Sequence, residues 1–177
     1  MSAQAGPIEL PADALVLLIG ASGAGKSSFA ARCFSADAVL SSDAYRARVA
    51  GDEADQSASD AAFQLLHAAA SERLAMGWLT VIDATNVRHD ARLPLLEAAD
   101  RFGRPPVAVV FDVSLAQCLE RNTRRVGRSV PARIVRRQHR MMLRALPYLA
   151  AEGLKVYRLS GAEAVDGATV SVVDVPE

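Results

Sequence analysis

The stretch Gly20-Ala-Ser-Gly-Ala-Gly-Lys-Ser27 constrains this chain more than any other. It follows the apolar run Ala14 to Ile19 and opens into Ser28-Phe29-Ala30-Ala31-Arg32, so it reads as a loop between a buried strand and a helix. The spacing G-x-x-x-x-G-K-[ST], in a strand–loop–helix setting, is that of a phosphate-binding P-loop. Gly20, Gly23 and Gly25 let the backbone turn tightly and bring successive N–H groups against phosphate oxygens. The backbone of Ser22, Ala24 and Ser28 belongs to the same cradle, and the positive end of the helix beginning near Lys26 adds to it. Lys26 can reach the β- and γ-phosphates, and the Ser27 hydroxyl is placed for Mg²⁺. A Gly/Ser-rich turn that merely joins strand to helix is the alternative, and a complete eight-residue match argues against it. The stretch predicts that the chain binds a nucleoside triphosphate.

The rest of the sequence bounds what surrounds that loop. At 177 residues the chain has the length of one domain with a continuous core. No apolar run approaches a membrane span, and Met1 to Pro11 lacks the positive charge of a signal peptide. Cys33 and Cys118 lie far apart with no metal-ligand spacing around them, which favours buried small hydrophobes over ligands or a disulfide. A cytoplasmic protein is the expectation. The net charge of zero hides a segregation: residues 1–120 hold 15 acidic and 9 basic residues, whereas residues 121–158 hold 11 basic and one acidic. Such a block is an electrostatic footprint for something anionic.

Along the chain, apolar runs at Ala38–Ser42, Leu79–Asp83, Val107–Asp112 and Lys155–Leu159 read as further strands. Ser59–Met76 has helical spacing through Phe63, Leu66, Ala70 and Leu74. Arg88–Arg101 is also helical in pattern, with Pro94 arguing for a break or an early-turn position. Leu115–Arg121 reads as a helix, and Pro131 as the first turn of another that runs to about Leu149. Strands alternating with helices predict an α/β fold with a central parallel sheet flanked by helices.

Two carboxylates fall at strand ends. Asp83, before Ala84-Thr85-Asn86, lies where ligands bind in a parallel sheet and can hold Mg²⁺ or its waters opposite Ser27; the alternative is a helix N-cap. Asp43, in Ser41-Ser-Asp-Ala-Tyr-Arg46, can orient an acceptor hydroxyl and take its proton; it too can be a cap. Arg46, one turn along a helix beginning at Asp43, would face the same way and grip an acceptor phosphate. Nine arginines between 121 and 144 come without one acid, a poor match to a solvated mixed-charge face. Arg121 and Arg125 share a helical face, and their planar forks suit a transferred phosphoryl group. His139 reads as a surface residue, and His67 and His89 have no partner visible in sequence.

These pieces together resemble the 5′-OH polynucleotide kinase family, most closely the kinase domain of bacterial RNA-repair polynucleotide kinase–phosphatases. The matching segments are Gly20–Ser27, Ser41–Arg46, Gly51-Asp-Glu-Ala-Asp-Gln56, Thr80-Val-Ile-Asp-Ala-Thr-Asn86 and Cys118-Leu-Glu-Arg-Asn-Thr-Arg-Arg125, in order across about residues 14–160. The resemblance implies a nucleoside-monophosphate-kinase-like P-loop NTPase in one domain over 1–177, with an arginine-rich lid at about 121–145. It implies ATP, Mg²⁺ and transfer of the γ-phosphate to the 5′-OH end of RNA or DNA, with repair enzymes as partners. By the same resemblance Lys26 and Ser27 contact phosphate and metal, Asp43 is the general base and Arg46 an acceptor contact. Asp83 is a metal-side or acceptor-side carboxylate, and Arg121 and Arg125 are lid arginines on ATP. Gln56 and Asn86 fall on the acceptor side of the pattern, and Arg124 and Arg128 are neighbouring candidates for the lid. Family members usually carry phosphatase or ligase domains as well, which this sequence does not show.

Two rival readings remain open. Small-molecule kinases for nucleosides, sugars or antibiotics also need a P-loop, a base and lid arginines, although the excess positive charge exceeds what their acceptors require. An NTP-binding regulatory module is the other, and it would have no use for an acceptor-side base at Asp43.

Overall fold

A computed structural model describes residues 7–50, 59–127 and 129–174. Gln56 and Arg128 lie outside the described residues. The centre is β2 (Leu15–Ile19), five apolar residues buried on both sides. Its neighbours follow the order β3-β4-β2-β5-β6, with β3 at Val39–Ser41, β4 at Thr80–Asp83, β5 at Pro106–Asp112 and β6 at Lys155–Ser160. Every pair is parallel. Alternate residues of β2 enter two cores, as the period of two in a strand requires. Leu15, Leu17 and Ile19 pack with α2 (Ser42–Ala50), α3 (Ser59–Ala75) and α4 (His89–Arg101). Val16 and Leu18 pack with Phe29 of α1 (Lys26–Cys33) and Cys118 of α5 (Leu115–Thr123) on the other face. The helix α6 (Ala132–Ala145) contributes Val135 to one core and Met142 to the other.

The connections leave β2 first toward β3 and β4, then toward β5 and β6. Ligands bind in the crevice outside the carboxyl ends where connections part in this way. Register brings the strand ends level: Ser41 pairs with Asp83, and Asp83 with Leu18. Gly20, Asp43 and Asp83 therefore emerge on one edge.

Four local readings are corrected. Pro94 does not break α4; it sits in the second turn on the exposed face, where the Asp90 carbonyl that loses its N–H partner can turn to water. Pro131 caps α6 from outside, and that helix ends at Ala145 before a short 3₁₀ turn, Leu146–Tyr148. Phe63 is half-buried, and Ala62 takes the core position with Leu66, Ala70 and Leu74. His139 is half-buried, with its Nε2 3.1 Å from the Val113 carbonyl. Three further elements are absent from the sequence reading: α7 (Ala162–Gly167), and a parallel two-stranded sheet of β1 (Ile8–Pro11) with β7 (Val170–Val173). Both cysteines are free thiols, Cys118 fully buried and Cys33 half-buried. Among the described residues no helix is long and apolar enough to cross a membrane.

One buried ion pair ties α4 to the approach of β6. Arg92, 1% exposed, donates from Nε and Nη2 to Glu152 at 2.8 and 2.6 Å, and from Nη1 to the Asn86 carbonyl at 2.9 Å. Burial opposes ionisation of Glu152, but the hydrogen bonds and charge of Arg92 outweigh it and hold the carboxyl below its usual 4.5. A carboxylate with a lowered folded pKa stabilises fully above its unfolded value, and the effect is lost as pH falls through the folded one. Removing one partner of a buried pair typically costs about 3–5 kcal/mol. Arg92→Met should therefore lose stability of that order at neutral pH, and the gap to wild type should narrow as pH falls below 4.5. Denaturant unfolding across that range checks it; a gap independent of pH would leave Arg92 as packing alone.

Candidate active site

The loop at the end of β2 is held open by backbone conformations that side chains resist. Gly23 and Gly25 have φ of 83° and 100°. A Cβ on Gly23 would come within 2.2 Å of the Cys118 carbonyl oxygen, so this glycine also sets how closely the loop lies on α5. Gly20 donates its N–H to the Thr85 carbonyl at 3.0 Å, which fixes the loop to the end of β4. The helix α1 then starts at Lys26 with no side-chain cap and no acid in its first turn. Its leading N–H groups have no partners within the helix, and their positive end faces the cavity uncompensated. That arrangement fits an anion.

Lys26 is buried, with Nζ donating to the carbonyls of Gly20 and Ala21 at 2.9 Å each. Burial lowers its pKa to about 8, partly opposed by the nearby Asp83 carboxylate. Ser27 donates its hydroxyl to Asp83 Oδ2 at 2.8 Å. Burial pushes the Asp83 carboxyl up, against the pull of the Ser27 hydrogen bond and Lys26. A hydroxyl and a carboxylate side by side are hard oxygen donors of the kind Mg²⁺ takes, and Mg²⁺ usually keeps most of its shell as water and phosphate. Among the described residues no group of three or more His, Cys, Asp or Glu could hold a metal by itself. The donor set therefore fits a cation shared with a phosphate ligand, and fits an all-protein metal cage poorly.

Two cavities meet at this loop. One, of about 340 Å³, lies over Gly25, Lys26 and Ser28 and is walled by Arg32, Arg121 and Val165. The other, of about 620 Å³, holds Asp43, Arg46, Phe63, Asp83, Arg133 and Gln138. Lys26, Ser27 and Arg125 line both. Asp43 and Arg46 form an ion pair within the first turn of α2, Arg46 being buried. The candidate lid arginines separate. Arg121 reaches toward Asp166 of α7 at 3.3 Å beside the first cavity, whereas Arg124 turns outward to Glu120 at 2.6 Å.

Asn86 goes elsewhere. It is buried at a φ of 50°, and its amide donates to the carbonyls of Leu18, Ile82 and Ala84 at 2.7, 3.2 and 3.4 Å. That side chain is committed to holding the ends of β2 and β4 together.

Several residues of the site escaped the sequence reading. Gln138 of α6 accepts from the Ser22 N–H at 2.9 Å, joining the lid side to the phosphate loop. Asn122, 2% exposed, donates to the Val130 carbonyl at 2.7 Å and accepts from its N–H at 3.1 Å, closing the loop between α5 and α6. Asn122 was visible inside the Arg121–Arg125 segment, as a lone amide among charges. Gln138 and the residues of α7 carry no such signal.

Solved structures share this fold. A chain of the Pnkp1/Rnl/Hen1 RNA repair complex superposes with a TM-score of 0.66 at 19% identity, over 82% of this chain and 48% of that one. The protein thus spans about half the length of that chain. A sugar kinase from Janibacter sp. HTCC2649 gives 0.55 at 22% identity, over 82% and 84%. Shikimate kinase from Acinetobacter baumannii, in complex with shikimate, gives 0.51 at 17%, over 89% and 88%. No curated protein matches by sequence. The family model AAA_33, an AAA domain, matches residues 15–149, from the first residue of β2 to the turn before β6. Most of the chain lies within that match, and the protein belongs to this AAA domain family.

Proposed function

We propose that the protein is an ATP-dependent kinase that phosphorylates the 5′-hydroxyl end of RNA or DNA. The observation that carries this reading is the pair of cavities that share Lys26, Ser27 and Arg125, with Asp43 and Arg46 on the far side of the shared wall. A module that only binds nucleotide has no need of a second cavity with an acid at its junction. The fold likeness to a chain of an RNA repair complex and the nine arginines of residues 121–144 support a nucleic-acid acceptor.

In this reading ATP and Mg²⁺ are held by the loop amides, Lys26, Ser27 and Asp83, and supply an activated phosphoryl group. The chain's own residues do the rest. Arg46 holds one oxygen of Asp43 and fixes the direction of that carboxylate. Asp43 would orient the acceptor hydroxyl and take its proton as the new P–O bond forms and the bond from the γ-phosphorus to the bridging oxygen breaks, with ADP as the leaving group. Lys26, Arg121 and Arg125 stabilise the charge that spreads over the transferred group, and burial strengthens the contribution of Lys26, whereas Arg125 is exposed. A cavity of about 620 Å³ would also admit a nucleoside or sugar, as the sugar and shikimate kinases of like fold do by name. The reading is tested by labelled γ-phosphate transfer to 5′-OH RNA, 5′-OH DNA, nucleosides and sugars in parallel. Preference for a sugar or nucleoside over every 5′-OH oligonucleotide would overturn it.

Two outcomes follow from the geometry. Asp43→Asn keeps the size of the side chain and an oxygen that can accept from Arg46, so the fold and ATP binding should persist, at some cost in stability from the charge lost beside the buried Arg46. Loss of a general base typically costs about 10²–10⁴ in rate. Single-turnover transfer at saturating ATP and acceptor measures this, and a wild-type rate would reduce Asp43 to the ion-pair partner of Arg46. The second concerns Lys26, whose ammonium a triphosphate stabilises. Its pKa, about 8 in the free protein, must rise on binding. Binding above that pH then takes up a proton, and affinity for ATP should weaken by up to about tenfold per pH unit. Calorimetry in buffers of different ionisation heat reads the proton directly; Lys26→Met should abolish the uptake, and an equal uptake in that variant would exclude Lys26 as its source.

A further inference from the structure

The two-cavity site accounts for Arg121, Arg125 and Arg133, and leaves most of the basic block unexplained. Arg133, Arg136, Arg137, Arg140 and Arg144 all belong to α6 and are all exposed. At 3.6 residues per turn they fall within an arc of about 100°. The opposite face of α6 carries Val135 and Met142 into the cores, so the arginine face is fixed outward. Among the described residues none of the five is ion-paired to a carboxylate, and α6 itself contains no acid. Five like charges at three- and four-residue spacing repel one another. Meeting a polyanion would relieve that repulsion.

From this we infer that the outer face of α6 is a track for the sugar–phosphate backbone of a single-stranded nucleic acid whose 5′ end occupies the Asp43 cavity. This rests on the proposed acceptor and specifies its length and form. Three features select the ligand. The stripe starts inside the site, because Arg133 lines the same cavity as Asp43 and Arg46. From Arg133 to Arg144 the helix rises about 16 Å; even at about 3.4 Å per phosphate, the spacing along one strand of a stacked duplex, that length meets at most about five phosphates, and an extended single strand places fewer along it. All five cations are arginines, whose planar forks grip phosphate oxygens in pairs where lysine offers a point charge. A membrane surface fits less well, since the apolar face that would enter lipid is already packed against the sheet. The track reads no bases, so acceptor affinity should grow with length over the first few nucleotides, level off by about five, and show little sequence preference.

The test is the triple variant Arg137→Gln, Arg140→Gln, Arg144→Gln, which leaves Arg133 and the site in place. A 3′-labelled 5′-OH strand of about ten nucleotides is titrated by anisotropy without ATP over a range of salt. Three lost phosphate contacts should weaken binding by at least about tenfold at low salt and reduce the slope of log K against log salt by about two. The triple lysine variant should keep most of that slope, and ATP binding with circular dichroism shows that each variant is folded. Transfer to a 3′-phosphorylated nucleoside, too short to reach the track, should be unchanged, while KM for the long strand rises. If the glutamine variant binds the strand with wild-type affinity and slope, the track is overturned although the kinase reading stands. The track is overturned too if the variant loses binding only to phosphatidylserine vesicles. Track-dependent strand binding with no transfer to any 5′-OH end would instead overturn the kinase reading and uphold the track.

Discussion

Five strands that all run the same way have all their carboxyl ends on one edge, and the whole site depends on that alignment. Parallel pairing on both sides of β2 leaves no freedom: once Leu18 is level with Asp83, and Asp83 with Ser41, the phosphate loop, the Asp83 carboxylate and the acid of α2 share a rim. The pairing is enforced by burial. β2 is apolar on both faces and each face has its own core, so a slip of one residue would exchange the two sets of side chains. Hydrophobic packing far from the chemistry thus sets distances within it.

Charge in the site is arranged around one strained component. Lys26 is kept in a buried position by two loop carbonyls, and burial depresses its pKa despite a neighbouring carboxylate. Asp83 is stressed in the opposite sense, its carboxyl raised by the same burial. Both groups lean toward neutrality in the free protein, and both would become more fully charged beside a phosphate and a cation. The site is therefore built for ions it does not itself supply, which is the electrostatic content of a P-loop.

Much of this was legible in the sequence, for a physical reason. The P-loop and the five strands are local patterns, each set by spacing within a few residues, and Gly20–Ser27, Asp43 and Asp83 could be placed on one edge from them. Arg121 and Arg125 both line the first cavity, but not as one helical face, because α5 ends at Thr123 and Arg125 lies beyond it; turning Arg124 away needed Glu120, four residues back. Pairing of β1 with β7 joins opposite ends of the chain, and no local pattern announces it. Asn86 was placed on the acceptor side by the family pattern alone, and nothing in the sequence signals that its amide nitrogen donates to three backbone carbonyls. Gln138 and Asn122 act on backbone atoms far from them in sequence or across a loop, and polar contacts of that kind leave no periodicity to read.

The clasp of Asn122 on Val130 reaches beyond geometry. One side chain satisfies both the N–H and the C=O of Val130, so the exit of α5 and the approach to α6 are pinned to each other. The chain between them hangs from a closed neck. Changing its length alters only the entropy of a loop whose ends are already joined, and that cost grows slowly with length. That segment carries Arg125, which lines both cavities, so α5 and α6 keep their places while the segment presents one cation to the site. The clasp thus lets the segment around Arg125 change in length or composition without α5 and α6 having to move, and the phosphate loop that packs on α5 stays as it is.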